Sequence, residues 1–442
     1  MEGSSPKVRR SRRSEAPSNY VVAQISLWGQ LVGSVAESRS GRIYFQYDRA
    51  FQAKGLEISP LRLPLRDGAI TFPELRRLAA FAGLPGVLAD SLPDAFGNAV
   101  IKRYFEAKGT PSAALSPVQR LLYVGARAMG ALEFSPPTDR QSNEGTEQAI
   151  TVARLVDEAR RVIEGDTTVA VPEIMQVGAS AGGARAKALI LWNQSRNRVK
   201  SGFSPLADGD EHWLIKFDGV TAGGTGGPQL REDVRPSPWG RIEYVYSQMA
   251  RAAGIDMTDT YLLQEREFAH FMTKRFDRVG TKRVHMHSLG GLVHVDYNER
   301  GQYSYDQYFT TIRELGMGQA DVEQAFRRMA FNLAAVNQDD HVKNFAFLMT
   351  EDGVWHLSPA YDVMFAHGSQ WTRTHQMTVG GKDDLFTRED LLSLGRAFDI
   401  YDGGASVLRD VAAALGAWDA QGRAVDIPAE QREHISSLFR RF

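Results

Sequence analysis

From Tyr20 onward the chain falls into short runs of β-branched and aromatic residues. Val21–Trp28 reads V-V-A-Q-I-S-L-W, and Leu31–Val35 and Ile43–Tyr47 follow. Such runs suit pleated strands, and Gly29-Gln30 between the first two suits a hairpin turn. Two helical stretches come next. One is entered through Ser91-Leu92-Pro93-Asp94, with Ser as cap and Pro and Asp in the first turn. Residues 136–149 are rich in Pro, Ser, Asn and Gly and read as a linker. A larger domain starts near Ile150, strands and Gly-rich loops first, helices later. Over 319–336, Val322, Phe326, Met329, Ala330, Leu333 and Val336 recur at helical spacing. They predict a helix with one buried face whose C-terminal end delivers Asn337. The pattern therefore predicts an α+β chain: a tail over 1–19, a domain over 20–135 and a domain over 150–442. The second domain divides into a mixed part at about 150–280 and a helical part at about 281–442.

With 442 residues, of which 43% are apolar, the chain can bury substantial cores. Its 52 basic and 53 acidic residues nearly cancel, so no overall field calls for a nucleic acid or a membrane. The absence of cysteine excludes disulfides, thiolate metal sites and a Cys nucleophile, and fits a reducing cytosol. No apolar run approaches the roughly 20 residues of a membrane span, and Met1–Pro6 lacks the apolar start of a signal peptide. The expectation is a soluble cytoplasmic protein. Arg9-Arg10-Ser11-Arg12-Arg13 in the tail reads either as part of a disordered segment or as an arm that touches nucleic acid.

The chemistry concentrates in Asn337-Gln338-Asp339-Asp340-His341-Val342-Lys343-Asn344 and in Ser358-Pro359-Ala360-Tyr361-Asp362. Asp339 and Asn344 form D-x-x-x-x-N, with a further Asp past a short apolar stretch. Phosphoryl transfer from Mg-ATP uses such a set: a carboxylate for the acceptor proton, an amide and a second carboxylate for the metal. Asp339 rather than Asp340 keeps the register to Asn344, and Lys343 can neutralise charge on the transferring group.

D-x-x-x-x-N alone is a weak signal, but four upstream pieces stand in kinase order. Ala181-Gly182-Gly183-Ala184-Arg185-Ala186-Lys187 reads as a surface turn or as a loop whose backbone N–H groups cradle phosphate. Lys216, in the strand His212–Phe217, either snorkels from an edge or grips phosphates. Glu243, in an amphipathic helix starting near Trp239, either favours the helix N-terminus or orients Lys216. Phe268–Arg278 is a strand running into a turn, either an ordinary sheet strand or the hinge that meets adenine.

With these pieces the chain resembles the HipA family, the kinase toxins of bacterial toxin–antitoxin modules, over nearly its whole length from Tyr20. The motifs carrying the likeness are Ser91–Gly97, Gly182–Lys187, Leu214–Phe217, Arg275–Arg278, Asp339–Asn344 and Pro359–Asp362. The resemblance implies a divergent protein-kinase-like fold, with a β-rich N-terminal subdomain and a largely helical C-terminal domain. It implies ATP and Mg2+ as cofactors, with Ala181 to Lys187 on the phosphates and Lys216 on ATP. Lys274, Arg275 and Phe276 would line the adenine pocket, where a backbone contact would tolerate Lys274 in place of the family's usual Glu. Asp339 would be the catalytic aspartate, His341 would lie at the nucleotide, and Asn344 and Asp362 would hold the metal. Ser180 aligns with the serine on which these kinases autophosphorylate, ejecting the loop.

The implied activity is a serine/threonine protein kinase acting on a host protein, the family's known targets being aminoacyl-tRNA synthetases. A small HipB-like DNA-binding antitoxin would be its partner, linking it indirectly to DNA. Two other readings stand beside this one: a kinase-like protein serving mainly as antitoxin-binding co-repressor, and a small-molecule or lipid kinase on the same scaffold.

Overall fold

The computed structural model describes residues 20–93, 95–107, 109, 115–137, 151–164, 185–221 and 236–442. The N-terminal domain is built on β1 (Tyr20–Leu27), β2 (Gln30–Ser38), β3 (Ile43–Tyr47) and β4 (Leu132–Ser135), antiparallel in the order β3-β2-β1-β4. The hairpin turn sits one residue earlier than the sequence suggested. Leu27 faces Gln30, and Trp28 (φ 50°) and Gly29 (φ 74°) take the two left-handed central positions, the arrangement that matches strand twist. Along β1, Ala23, Ile25 and Leu27 are buried on alternate positions, and Val118 and Leu121 of a covering helix share their core. Besides a single helical turn at Arg49–Gln52, the domain has α1 (Gly86–Ala89), α2 (Ala95–Ala107) and α3 (Pro117–Val124). Asp94, the last residue of the expected cap motif, lies outside the described residues, as do the tail before Tyr20 and most of the linker.

After α4 (Val152–Glu164) comes a second antiparallel sheet. It comprises β5 (Arg185–Asn193), β6 (Arg198–Ser201), β7 (Glu211–Thr221), β8 (Thr260–Glu265) and β9 (Phe268–Lys274), ordered β6-β5-β7-β9-β8. The helix α5 (Trp239–Ala252) lies against β9 so closely that a Cβ on Gly240 would stand 2.3 Å from the Ala269 carbonyl oxygen. Val100 of α2 and Leu155 of α4 join the apolar core of this sheet, so the N-terminal domain contributes to the upper lobe.

Below it, a two-stranded ribbon of β10 (Arg278–Val279) and β11 (Lys282–Arg283) leads into a small sheet. That sheet comprises β12 (His285–Ser288), β13 (Ala346–Met349) and β14 (Trp355–Leu357). The helical lobe comprises α6 (Leu289–Val293), α7 (Tyr305–Glu314), α8 (Gln319–Ala334), α9 (Arg388–Ala397), α10 (Ala405–Leu415), α11 (Trp418–Ala424) and α12 (Ala429–Leu438). The periodic residues of α8 pack inward as their spacing requires, Val322, Phe326, Met329 and Leu333 all being fully buried. Among the described residues no helix is long and apolar enough to cross a membrane.

Candidate active site

Strand alternation decides which side chains of the upper sheet face the cleft. On β5, Arg185 and Lys187 point one way, while Ala186 points into the core of the sheet. Ala186, expected at the nucleotide through its backbone, packs its methyl group behind the strand. Ser180, Ala181, Gly182, Gly183 and Ala184 lie outside the described residues. On β7, Lys216 pairs in register with Lys187 on one side and Phe271 on the other.

The Lys216 ammonium donates to Glu243 Oε1 at 2.5 Å and also to Asp362 Oδ1. Glu243 is completely buried on α5, and its other oxygen accepts from Arg185 Nη1 at 3.0 Å. A carboxylate in that position needs compensation, and two cations supply it. Burial disfavours the charged form of Lys216, but Asp362 and Glu243 outweigh that and hold its pKa above the usual value. For Asp362 burial pushes upward, yet Lys216 and Lys187 bring the carboxyl below its ordinary range. Asp362 is itself in the left-handed region (φ 54°), a costly conformation for a non-glycine residue that clusters at functional sites.

The loop after α8 is pinned residue by residue. Val336 (φ 57°) turns the chain out of the helix. The Asn337 backbone N–H donates to the Asn332 carbonyl at 2.9 Å, and its side-chain amide donates to Asn332 Oδ1 at 3.0 Å. The two adjacent aspartates then part company. Asp340 is buried and accepts from the Tyr305 hydroxyl (2.7 Å), His375 Nδ1 (2.9 Å) and the Gln376 backbone N–H (2.8 Å). Asp339 keeps 36% of its side chain exposed and accepts from the Trp371 indole at 2.8 Å. Burial raises the Asp339 pKa; His341 and Trp371 lower it, Asp362 and Asp340 raise it, and the net shift is upward.

The Asn344 amide donates to the Asp339 carbonyl at 2.8 Å, which locks the two ends of D-x-x-x-x-N together and turns the Asn344 Oδ1 end away. His341 is buried, with Nε2 3.8 Å from Asp339 Oδ1. Lys343 lies with Nζ 5.2 Å from the centre of the Tyr297 ring, and its charge acts on Asp90. Its carbonyl accepts from the Tyr361 hydroxyl at 2.7 Å.

A cleft between the upper sheet and the small lower sheet is lined by Lys187, Lys216, Met257, Phe271, Phe276 and Tyr361. Phe276 and Tyr361 meet across it with ring centroids 5.7 Å apart. The other two expected hinge residues, Lys274 and Arg275, line the same cleft, with their side chains held in ion pairs. Arg275 forms a buried fork with Asp277 at 2.9 and 2.7 Å, and Asp277 also holds Arg278 and the Gly130 N–H. Lys274 pairs with Glu211 through its side chain. Its backbone N–H donates to the Asp259 carbonyl (2.8 Å) and its carbonyl accepts from the Thr258 hydroxyl (2.9 Å). The backbone contact expected from Lys274 is therefore already made within the protein.

Asn344 and Asp362 present hard oxygen donors, and among the described residues no group of three or more His, Cys, Asp or Glu could hold a metal on its own. That donor set suits a divalent cation completed by phosphate oxygens. Trp371 was missed by the sequence reading, since it sits in a segment without periodicity.

A strand lysine paired with a helix glutamate, set over a helical lobe carrying D-x-x-x-x-N, defines a divergent protein-kinase-like fold. Residues 23–135 match the HipA N-terminal domain and residues 179–421 the HipA-like C-terminal domain. The chain belongs to the HipA family. Its fold is similar to a chain from the Shewanella oneidensis MR-1 toxin–antitoxin complex of HipA, HipB and operator DNA. There the TM-score is 0.63 at 14% identity, over 94% of each chain. It is also 26% identical over 166 residues to Y4dM of Sinorhizobium fredii, a protein provisionally named a kinase. The match covers 32% of this chain and 40% of that protein's length.

Proposed function

We propose that the chain is the kinase toxin of a toxin–antitoxin module, moving the γ-phosphate of ATP to a Ser or Thr hydroxyl of a host protein. The observation that carries this reading is the buried Lys216–Glu243 pair touching Asp362, whose charge reaches Asp339, a carboxylate still partly open. In this reading Lys216 and Lys187 hold phosphate oxygens, and Asp339 orients the acceptor hydroxyl and takes its proton. The raised Asp339 pKa brings that base nearer to working pH. Asn344 and Asp362 would hold Mg2+, which when bound neutralises charge on the phosphates.

The fold likeness to the HipA–HipB–DNA complex supports a HipB-like antitoxin as partner and, through it, an indirect tie to DNA. The family resemblance supports an aminoacyl-tRNA synthetase as the target, Ser180 as a self-modified residue, and a cytoplasmic setting. Purified protein incubated with radiolabelled ATP, Mg2+ and a cell extract tests the reading. Label should enter protein Ser or Thr with the wild type and disappear with Asp339→Asn. Equal label with Asp339→Asn overturns the assignment, and bound nucleotide without transfer makes the chain a binding protein.

A further inference from the structure

Asp90 follows α1 in the N-terminal domain, directly ahead of the Ser91-Leu92-Pro93 motif, yet its carboxylate is engaged by the other domain. One oxygen accepts from the Ser288 hydroxyl at 2.6 Å. The other accepts from the Ser288 backbone N–H and from His287 Nδ1, each at 2.7 Å. The far nitrogen of His287 meets the Ser59 hydroxyl at 3.0 Å. Ser59, His287 and Asp90 thus stand in the order of a hydrolytic triad. Ser59 and His287 are completely shielded from solvent, so no acyl substrate reaches the hydroxyl, and a different role is required.

That role follows from what Ser288 supports. Its hydroxyl caps α6, accepting from the Gly291 N–H at 3.0 Å. The helix backs directly onto the loop of Asp339 and Asn344. The Leu289 N–H donates to the Phe345 carbonyl at 2.8 Å, and a Cβ on Gly290 would stand 2.8 Å from Val342 Cγ2. Val342 lies midway between the two site residues. Two glycines make the approach possible. A Cβ on Gly291 would come within 2.5 Å of Asp90 Oδ2, and one on Gly86 within 1.9 Å of the Gly291 carbonyl oxygen, so α1 and α6 touch backbone to backbone. Burial pushes the Asp90 carboxyl upward, but His287, Lys343 and Ser288 bring it below its usual range; it stands there as an anion.

We propose that Asp90 is a positioning residue: through Ser288 and α6 it holds Val342 and so fixes the mutual geometry of Asp339 and Asn344. The N-terminal domain is then a working part of the transfer site. The inference rests on the kinase reading, and its test has one arm that does not.

The variant is Asp90→Asn, nearly the same shape with the charge removed. Transfer should slow about tenfold in kcat, as expected when a catalytic group is displaced by a fraction of an ångström. KM for ATP should hold within about twofold, because Lys187, Lys216 and Glu243 sit on other elements. Amide hydrogen exchange over 339–345 should quicken.

Glu133→Gln breaks the Glu133–Arg283 ion pair across the same domain interface without touching Ser288, and should leave both readouts at the wild-type level. Wild-type kcat and exchange in Asp90→Asn overturn the proposal, and so does an equal loss in both variants, which would mean domain docking alone. If thermal melting shows Asp90→Asn unfolded, Ser288→Ala is read in the same way. Quickened exchange in a protein whose wild type transfers no phosphate overturns the kinase reading and leaves the link from Asp90 to the loop standing.

Discussion

The indole N–H of Trp371 donates to Asp339 Oδ1 at 2.8 Å, so a partly exposed side chain from beyond Asp362 holds the carboxylate an acceptor hydroxyl would need. Asp339 can take a proton only when ionised, and its pKa is raised by burial. The acid limb of kcat/KM should therefore lie above the value near 4 of an ordinary carboxylate. The Trp371 bond favours the charged form and opposes that rise. Trp371→Phe removes it, so the limb should move further up. A pH profile of both proteins checks this; a limb that moves down refutes the assignment of the titrating group.

Adjacent aspartates should fail in opposite ways. Asp339→Asn should lower transfer by a factor on the order of 10³ with little change in melting temperature. Asp340→Asn removes a buried charge from three donors and should cost roughly 3 kcal/mol of stability. Thermal melts and phosphate incorporation on both variants decide the matter. A stable, inactive Asp340→Asn beside an unstable, active Asp339→Asn would exchange the two roles.

Glu243 is shared by Lys216 and Arg185. Glu243→Gln takes the charge partner from Arg185 and leaves Lys216 with Asp362 alone, and should destabilise by about 3 kcal/mol, with weaker nucleotide binding. Adding Arg185→Gln removes one of the two cations, so the double variant should be more stable than the sum of the single losses. Urea unfolding of the three proteins measures the coupling; strict additivity would mean that Arg185 and Glu243 act independently.

The parts of the site legible in the sequence are local ones. The α8 periodicity announced a buried helix ending at Asn337, and five-residue spacing tied Asn344 to Asp339. Both depend on contacts within a few turns of chain. Alternation along β5 also carried a signal that was overlooked, for it puts Arg185 and Lys187 on one face and Ala186 on the other. The hairpin was displaced by one residue because a tryptophan with positive φ is rare and no composition rule announces it. Arg275 lines the cleft as its place after β9 suggested, but only the fold reveals the Asp277 fork that holds its guanidinium. Trp371 and Asp90 were illegible for a different reason. Their partners lie 32 and 197 residues away, and no periodic pattern links such positions.

Histidines between the domains should make stability fall in mild acid. His285 is fully buried on β12, and its Nε2–H donates to the Ile58 carbonyl of the N-terminal domain at 2.9 Å. Burial pushes its pKa from 6.5 down to about 4. His294 accepts from the Gly86 N–H at 3.1 Å and is pushed by burial to about 3. His212, within the upper sheet, is lowered by burial to about 4. Each is neutral in the folded chain, while the unfolded chain protonates near 6.5. Their contribution is fully present above pH 6.5 and is lost as pH falls toward 4, because the unfolded state binds the protons first. The slope should approach about 1.4 kcal/mol per pH unit for each histidine. Urea unfolding at pH 7, 6 and 5 measures it. His285→Leu should flatten the decline by one histidine's share, and an unchanged slope would exclude His285 as a source.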